Sequence, residues 1–229
     1  MRRIDASRPL DALAAALPGP ARMIQDTTEL LPHAEPMRRL FFLQLGAVEL
    51  MLPHEEYGWV SMAVLRAPAL LGVTDYLLGT KAAFSFRALG SGSGQWIDAA
   101  LVDALLVHTP SLRETLIAQA SLERRALAIT AAGLHDGAEA RLAGLLSRYA
   151  EAIGRPEGQK TRILARRPQH ELGAVCGLTL RHTNRVLGKW KRQGIVEKDA
   201  GNLVIDVARL RADLSAEATR GGPWVQAQG

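Results

Sequence analysis

The side chains best suited to chemistry lie close together in residues 171–194, in the last third of the chain. The basic and amide groups there are Arg181, His182, Asn184, Arg185, Lys189, Lys191 and Arg192. Val186, Leu187 and Trp190 recur among them at helical spacing, so a helix here would bury one face and expose the donors. In the major groove of DNA, arginine donates two hydrogen bonds to guanine and asparagine pairs with adenine. The pattern therefore predicts a helix that binds DNA.

The residues before this helix predict a helix-turn-helix. Leu172, Val175 and Cys176 would form the apolar face of a short helix. Gly177 permits the positive φ that a tight corner between helices requires, and the Thr179 hydroxyl can cap the next helix. A basic amphipathic helix on its own could be only a solvated surface. The succession of short helix, glycine corner, cap and basic helix favours DNA binding over that alternative.

Two short strands are predicted after the basic helix. Gly194 ends the helix, and residues 195–197 and 203–206 flank a turn at 199–202. This hairpin would be the wing of a winged helix-turn-helix. The side chains that we expect at the DNA are Thr179, Leu180, Arg181, His182, Asn184, Arg185, Lys189 and Lys191. The two lysines are expected to contact phosphates or simply to be solvated, and neither role carries sequence information.

The elements that must position this segment begin with a β-rich region. Apolar runs at 39–45, 47–52, 59–65 and 82–89 predict strands, with Gly46 as a turn between the first two. Several short strands at close spacing are typical of a small barrel or jelly roll. The first part of the chain is therefore predicted to be a compact β domain.

Helical periodicity replaces the strands after Asp98, which is a candidate N-cap, and a longer helix opens at Pro110. Apolar residues recur along that helix at steps of four or seven, at Leu112, Leu116, Ala120, Leu127 and Leu134. Such a seam could pack against a second copy of the chain or onto the barrel, and we favour the dimer. A further helix is predicted at 140–149. Residues 154–168, rich in glycine, proline and arginine, predict a linker with a domain boundary near 154.

Residues 171–206 resemble the winged helix-turn-helix of the CRP/FNR superfamily of transcription regulators. More weakly, residues 96–112 resemble the passage into that family's dimerisation helix, and residues 42–48 resemble an early pair of strands. The resemblance implies an α+β fold with three parts. These are a β-roll or jelly-roll sensor domain similar to cyclic-nucleotide-binding domains over 1–111, a dimerisation helix and a following helix over 112–153, and the winged helix-turn-helix over 154–229. It also implies a homodimer on a palindromic DNA site, with RNA polymerase as a further partner.

The predicted DNA-reading helix departs from the family pattern at two positions. The family's small hydroxyl residue and its later arginine correspond to Thr179 and Arg185, but an arginine–glutamate pair is replaced by Leu180 and Arg181. A glutamate there would accept a hydrogen bond from cytosine, whereas arginine has no acceptor. We therefore expect a half-site that differs from the commonest one of the family.

The effector turn of the cyclic-nucleotide-binding members corresponds to Gly72, Val73, Lys81, Ala82 and Ala83. The resemblance assigns the ribose to a glutamate where Val73 stands, and the phosphate to an arginine and a serine where Lys81 and Ala82 stand. Valine accepts no hydrogen bond, alanine lacks the hydroxyl, and lysine lacks the bidentate fork. We therefore expect a degenerate pocket and no control by cyclic AMP. The alternative is a cyclic-nucleotide- or haem-responsive regulator of the same fold, with one of the six histidines as the haem ligand.

Composition narrows the remaining classes of function. The net charge of +5 agrees with a nucleic-acid partner. Cys176 is the one cysteine, which excludes an internal disulfide and an iron–sulfur cluster held by cysteines alone. It is either an inert core thiol or a redox switch. The chain has no phosphate-binding loop, nucleophile elbow or metal motif, so we expect no enzyme and no cofactor.

The sequence also predicts the compartment. Residues 10–17 predict a short amphipathic helix rather than a signal peptide, because Asp11 interrupts the apolar run. The chain has no stretch of about 18 apolar residues that could span a membrane. We therefore expect a cytoplasmic protein whose partners are double-stranded DNA and a second copy of itself, with no membrane.

Overall fold

The computed structural model describes residues 20–132 and 137–220, together with Leu10 and Leu17. The chain divides into two compact units, one ending at Ala132 and the other beginning with the next residue. Each unit contains its own β-sheet. The middle of the helix predicted over 10–17, the Leu134 position of the predicted seam, and His135 lie outside the described residues.

The sheet of the N-terminal unit contains six antiparallel strands among the described residues. They are β1 (Arg22–Ile24), β2 (Glu29–Leu31), β3 (Arg39–His54), β4 (Gly58–Arg66), β5 (Ala69–Leu71) and β6 (Ser85–Asp98). β3 and β6 pair along most of their length; β4 and β5 flank β3, whereas β1 and β2 flank β6. Phe41, Leu43, Leu50 and Phe86 are buried together in one apolar cluster between these strands. The β-rich character predicted for this region is therefore present.

Gly46 is a bulge inside one long strand, and the turn predicted there is wrong. The residues on both sides of Gly46 pair with β6, but the register shifts between Leu43, which faces Gly94, and Ala47, which faces Leu89. Gly46 has a φ of +97°, and a Cβ there would lie 2.9 Å from the Ser91 carbonyl oxygen. The strand therefore continues through this residue of positive φ with a shift in register and no reversal. The reversal comes later, between β3 and β4.

Three helices complete the described part of the N-terminal unit: α1 (Val73–Leu78), α2 (Ala99–His108) and α3 (Pro110–Ala132). α2 begins directly after β6, and Asp98 is its N-cap residue as predicted, although its side chain makes no capping hydrogen bond. Leu40 and Phe42 of β3 meet Val102 of α2 in a second apolar cluster, which α3 also joins. The helices therefore cover one side of the strands.

The predicted seam of α3 packs inside its own unit. Leu112 and Leu116 are 6% and 1% exposed in the single chain, and Ala120 packs against the same cluster. Leu127 packs against the cluster between the strands. The single chain therefore covers Leu112 and Leu116, whereas Ala120 and Leu127 are only partly buried, and the dimer contact stays a prediction. The spacing identifies an apolar helix face but does not identify the surface that covers it.

The C-terminal unit combines four helices with a four-stranded sheet. Its described elements are α4 (Ala138–Ile153), β7 (Gly154–Glu157), β8 (Lys160–Ile163), α5 (Gln169–Val175), α6 (Leu180–Arg192), β9 (Val196–Asp199), β10 (Asn202–Ile205) and α7 (Val207–Arg220). The strand order is β7-β8-β10-β9, and neighbouring strands are antiparallel. Leu142, Leu145 and Tyr149 of α4 are fully buried, as are Trp190 of α6 and Leu210 of α7.

The linker predicted over residues 154–168 is largely a β-hairpin. Residues 154–157 and 160–163 form β7 and β8, which turn at Gly158 with a φ of +63°. β8 pairs with β10, so the hairpin belongs to the sheet. Pro156 lies in the edge strand β7, where a missing amide breaks no ladder. The division between the units also falls before α4, at residue 132, and not near 154 as predicted, because the apolar face of α4 is buried within the C-terminal unit.

Candidate nucleic-acid interface

Two glycines shape the corner between α5 and α6. Gly177 has a φ of +64°, which confirms the positive φ expected at this corner. Gly173 was not singled out by the sequence analysis, yet a Cβ there would lie 2.4 Å from Thr183 Oγ1 and 2.9 Å from the Leu178 carbonyl oxygen. Thr183 is fully buried, and its hydroxyl donates to the Thr179 carbonyl oxygen at 3.0 Å. The close approach of the two helices therefore depends on Gly173.

Thr179 caps α6 as predicted. Its backbone is extended, and its Oγ1 accepts a hydrogen bond from the His182 amide at 3.3 Å. This bond satisfies one of the amides that the first turn of a helix leaves unpaired. Because a hydroxyl also has a proton to give, Thr179 can still donate to an acceptor outside the helix.

The two faces of α6 are divided as the sequence predicted. Thr183, Val186, Leu187 and Trp190 are buried, which docks the helix on its unit. The exposed side chains are Leu180, Arg181, His182, Asn184, Arg185, Lys191 and Arg192. Arg181, Arg185 and Arg192 are four and seven residues apart, so they follow one line along the helix. Gly188 lies on the same line and is partly exposed, and a Cβ there would lie 3.7 Å from an Arg192 guanidinium nitrogen.

Lys189 is not solvated in the way the sequence analysis expected. Its Nζ lies 2.6 Å from Glu139 Oε2 of α4 and 3.2 Å from Asp213 Oδ2 of α7. Asp213 Oδ2 also accepts a hydrogen bond from Trp190 Nε1 at 3.1 Å. Burial raises the pKa of Asp213, but hydrogen bonds from Trp190 and Lys189 outweigh it and hold the pKa below its usual value. These four residues, Glu139, Lys189, Trp190 and Asp213, are called the Lys189 network below.

The wing predicted after α6 is present as β9 and β10. The two residues at its tip, Ala200 and Gly201, have φ values of +47° and +87°, the left-handed pair that a type I′ turn requires. Arg162 of β8 donates to Glu157 Oε1 and to Asp199 Oδ2, both at 2.6 Å. The hydrogen bond that Arg162 donates to Glu157, and then the one it donates to Asp199, raise the pKa of Arg162. Arg162 thus ties the wing to the β7–β8 hairpin.

A groove of about 150 Å³ separates α6 from the wing. Asn184 and Lys191 line it from the helix, and Lys198 and Gly201 line it from the wing. Helix and wing therefore present hydrogen-bond donors toward one shared surface. A polar acceptor such as a base edge or a phosphate suits this surface.

The predicted effector turn of the N-terminal unit is closed by the chain itself. Gly72 precedes α1 with a φ of +82°, and a Cβ there would lie 2.3 Å from Met37 Cε. Val73 is fully buried, whereas Lys81 is exposed. Asp75 Oδ2 accepts a hydrogen bond from the Ala83 amide at 3.1 Å. The Asp75 carboxylate thus occupies a backbone amide of the turn, and side chains of the same unit fill the space over Gly72.

Glu123 connects α3 to the start of α1, and the sequence analysis missed it. Its Oε2 accepts a hydrogen bond from Thr74 Oγ1 at 2.6 Å. Burial raises the pKa of Glu123 to about 7, although the hydrogen bond from Thr74 lowers it. Beside it, a cavity of about 270 Å³ lies between residues 64–69 and α3, lined by Leu65, Gln119 and Leu122 among others. None of the predicted effector residues lines this cavity.

Cys176 is packed into the corner between α5 and α6. It is 8% exposed, its thiol donates to the Arg141 carbonyl oxygen at 3.8 Å, and its own carbonyl accepts from Arg141 Nε at 3.1 Å. Within residues 20–132 and 137–220, no three residues of His, Cys, Asp or Glu converge to hold a metal ion. No helix in the described parts of the chain combines the length and the apolar character needed to cross a membrane.

Comparison with protein families gives a match in the C-terminal unit. Residues 140–213 match the Crp-like helix-turn-helix domain. This segment is therefore similar to the Crp-like helix-turn-helix domain, with α5 and α6 as its two helices, and the resemblance noted in the sequence is confirmed for these residues. A comparison with curated protein sequences finds no match.

Solved structures extend the likeness beyond the Crp-like domain to both units. A CRP-family transcriptional regulator from Thermus thermophilus has a TM-score of 0.69 at 15% identity, covering 85% of this chain and 96% of its own. FixK2 from Bradyrhizobium japonicum has a TM-score of 0.68 at 18% identity, covering 86% of this chain and 97% of its own. CLP of Xanthomonas campestris, a c-di-GMP-responsive global regulator, has a TM-score of 0.68 at 16% identity, with the same two coverages as FixK2. The chain therefore has the fold of a CRP/FNR-type transcription regulator, which confirms the predicted fold class.

Proposed function

We propose that this protein is a sequence-specific transcription regulator that binds a palindromic DNA site as a homodimer. The observation that carries the proposal is the division of α6, whose apolar face is buried while arginine and asparagine side chains cover the exposed face. A helix docked in this way can enter the major groove, where arginine recognises guanine and asparagine recognises adenine. By analogy with regulators of this fold, RNA polymerase is proposed as a further partner.

Each exposed position of α6 receives a distinct role. Arg181 and Arg185 are proposed to donate to guanine, and Asn184 to pair with adenine. Leu180 is half exposed at the start of the helix and has no polar atom, so it suits the C5-methyl group of thymine. Thr179, His182 and Lys191 are proposed to contact phosphates, which fixes the register without carrying sequence information.

A second copy would contact the exposed side of α3. Ile117 is 60% exposed there, in contrast to the buried seam on the other side of the helix. In a dimer, two recognition helices about 34 Å apart would meet successive major grooves on one face of the DNA. We expect Ile117→Glu to shift the sedimentation of the full chain from dimer to monomer. Leu77→Glu, at an equally apolar exposed position of α1, is the control that should leave the dimer intact.

We further propose that cyclic AMP does not control the protein. Three features of the effector turn support this: Val73 offers no acceptor, Met37 occupies the space over Gly72, and Asp75 already holds the Ala83 amide. A nucleotide phosphate placed there would meet the Asp75 carboxylate, and like charges at short distance repel. Operator binding without added nucleotide is the expected behaviour.

Selection from a random pool of double-stranded DNA with the full chain is the direct test. Enrichment of one palindrome, followed by loss of the preference in Arg185→Ala, would support the proposal. Recovery of no common sequence, or of one without twofold symmetry, would refute the sequence-specific dimer. Repeating the selection with cyclic AMP, cyclic GMP or c-di-GMP tests the effector separately, because a requirement for any of them would contradict the independence from nucleotide.

A further inference from the structure

The Lys189 network joins three helices of the C-terminal unit at one point. Glu139 comes from α4, Lys189 and Trp190 from α6, and Asp213 from α7. The ammonium of Lys189 lies 2.6 Å and 3.2 Å from the two carboxylates, and the indole of Trp190 donates to Asp213 at 3.1 Å. The contacts therefore bind the second half of α6 on two sides.

The chemistry of these groups argues against a free phosphate contact. A lysine held by two carboxylates already has its charge balanced, so little attraction for a phosphate is left. Trp190 is fully buried, and a buried indole N–H needs an acceptor, which Asp213 supplies. Within the described residues, the other cations of α6 (Arg181, Arg185, Lys191 and Arg192) are exposed, and only Lys189 forms an ion pair.

We propose that Lys189 is a positioning residue for DNA recognition and that, with Asp213, it fixes the orientation of α6. Helix α7 then belongs to the DNA-reading machinery even though it follows the wing. This inference rests on the proposed function, since the orientation of α6 matters only if α6 enters the groove. Base contacts fail when a side chain moves by a fraction of a hydrogen-bond length, whereas contacts with phosphates tolerate such shifts.

The first experiment compares Lys189→Met with Lys191→Met in the full chain. For each variant, the affinities for the selected operator and for random DNA are measured over a range of salt concentrations. Each phosphate contact contributes about 0.9 to the slope of log affinity against log salt. We expect Lys189→Met to keep the slope and the random-DNA affinity but to lose about tenfold in operator affinity. Lys191→Met should lower the slope by about one and weaken both DNAs alike.

The second experiment uses Asp213→Asn, which removes a negative charge from the DNA-binding unit. If charge alone mattered, this variant would bind every DNA more tightly. A positioning role predicts the opposite for the operator: its affinity should fall several-fold, and specificity should not rise. Lys189→Arg, which keeps a cation in reach of both carboxylates, should restore most of the operator affinity.

Hydrogen exchange of the free protein separates this inference from the proposed function. Faster exchange along α6 in Lys189→Met and Asp213→Asn, with unchanged exchange in α3, is the expected result even if wild-type protein prefers no operator. In that case the proposed function fails, and what stands is that the Lys189 network anchors α6 in the free protein. The inference is overturned if Lys189→Met lowers the salt slope by about one with equal losses on both DNAs. Unchanged operator affinity, or unchanged exchange in α6, overturns it as well.

Discussion

Helix α6 and the predicted effector turn at 72–83 differ in how their polar groups are paired. Along α6, the arginines and the asparagine are exposed, while the apolar face is buried against the unit. At the turn, the Ala83 amide is bound by Asp75, the Thr74 hydroxyl by Glu123, and the space over Gly72 is filled by Met37. A surface that binds a partner must keep its donors free of other side chains, because each such hydrogen bond would have to be broken on binding.

This contrast is the one expected between a surface that binds a partner and a turn that binds no ligand. Buried polar groups need partners, and a turn without a ligand must supply them from within the chain. Asp75 and Glu123 are such internal partners, and they lie outside the family's ligand-binding positions. The exposed donors of α6 have no need of internal partners, since water satisfies them in the free protein.

The largest effect that tests the comparison is the absence of cyclic AMP binding. Val73 and Ala82 each leave one polar group of the nucleotide without a partner, at about 1–3 kcal/mol each. We expect titration calorimetry with the full chain to detect no saturable binding of cyclic AMP or cyclic GMP at submillimolar concentration. A dissociation constant in the low micromolar range, together with DNA binding that depends on nucleotide, would contradict the closed turn.

The second prediction concerns Glu123, whose folded pKa of about 7 lies above its ordinary value of 4.5. A carboxyl with a raised folded pKa contributes stability that is full below the unfolded pKa and is lost as pH rises through the folded pKa. The free energy of unfolding lost between the two pKa values amounts to at most about 3 kcal/mol. We expect the free energy of unfolding of the wild-type protein to fall between pH 4.5 and 8. In Glu123→Gln, most of this fall should be absent. Urea unfolding at several pH values measures this free energy. Glu114→Gln, at an exposed position of α3, is the matched control.

Arg185→Ala tests the exposed side of the comparison. We expect a loss of about 1–3 kcal/mol on the selected operator and relaxed preference at one base pair, because the guanidinium would no longer recognise a guanine edge. Lys191→Ala should weaken operator and random DNA by equal factors. Equal losses on both DNAs for Arg185→Ala would assign this residue to the phosphates instead.

The smallest effect belongs to Leu180. If its side chain contacts a thymine methyl group, replacing that thymine by deoxyuridine in the operator should weaken binding by roughly 0.8 kcal/mol, the value of one buried methylene. In Leu180→Ala the same replacement should have no effect, so the two changes form a double-mutant cycle. Deoxyuridine placed outside the operator is the control. A loss of equal size in both proteins would exclude Leu180 as the reader of that base.

The local features of the DNA-binding unit could be predicted because their causes are local. Positive φ at Gly177, capping by Thr179 and the left-handed turn at Ala200 and Gly201 depend on a few adjacent residues. The buried face of α6 follows from helical spacing alone. These signals need no knowledge of the rest of the chain, which is why the helix-turn-helix and its wing were found in the correct places.

The features that were missed depend on contacts between distant residues. Glu139 lies 50 positions before Lys189, and Asp213 lies on a helix that the sequence analysis did not assign. The hairpin over 154–163 is stabilised by pairing of β8 with β10, about 40 residues later. The seam of α3 was correctly identified as apolar, but only the folded unit determines that its own clusters cover Leu112 and Leu116.

The carboxylate of Asp75 has a consequence for engineering a nucleotide site at this turn. Val73→Glu and Ala82→Ser would supply two groups that the resemblance assigns to nucleotide contacts, yet the Ala83 amide would remain bound to Asp75. Freeing that amide requires a third substitution, at Asp75, and this substitution on its own removes an internal hydrogen bond. We therefore expect the effects of the three substitutions to be non-additive.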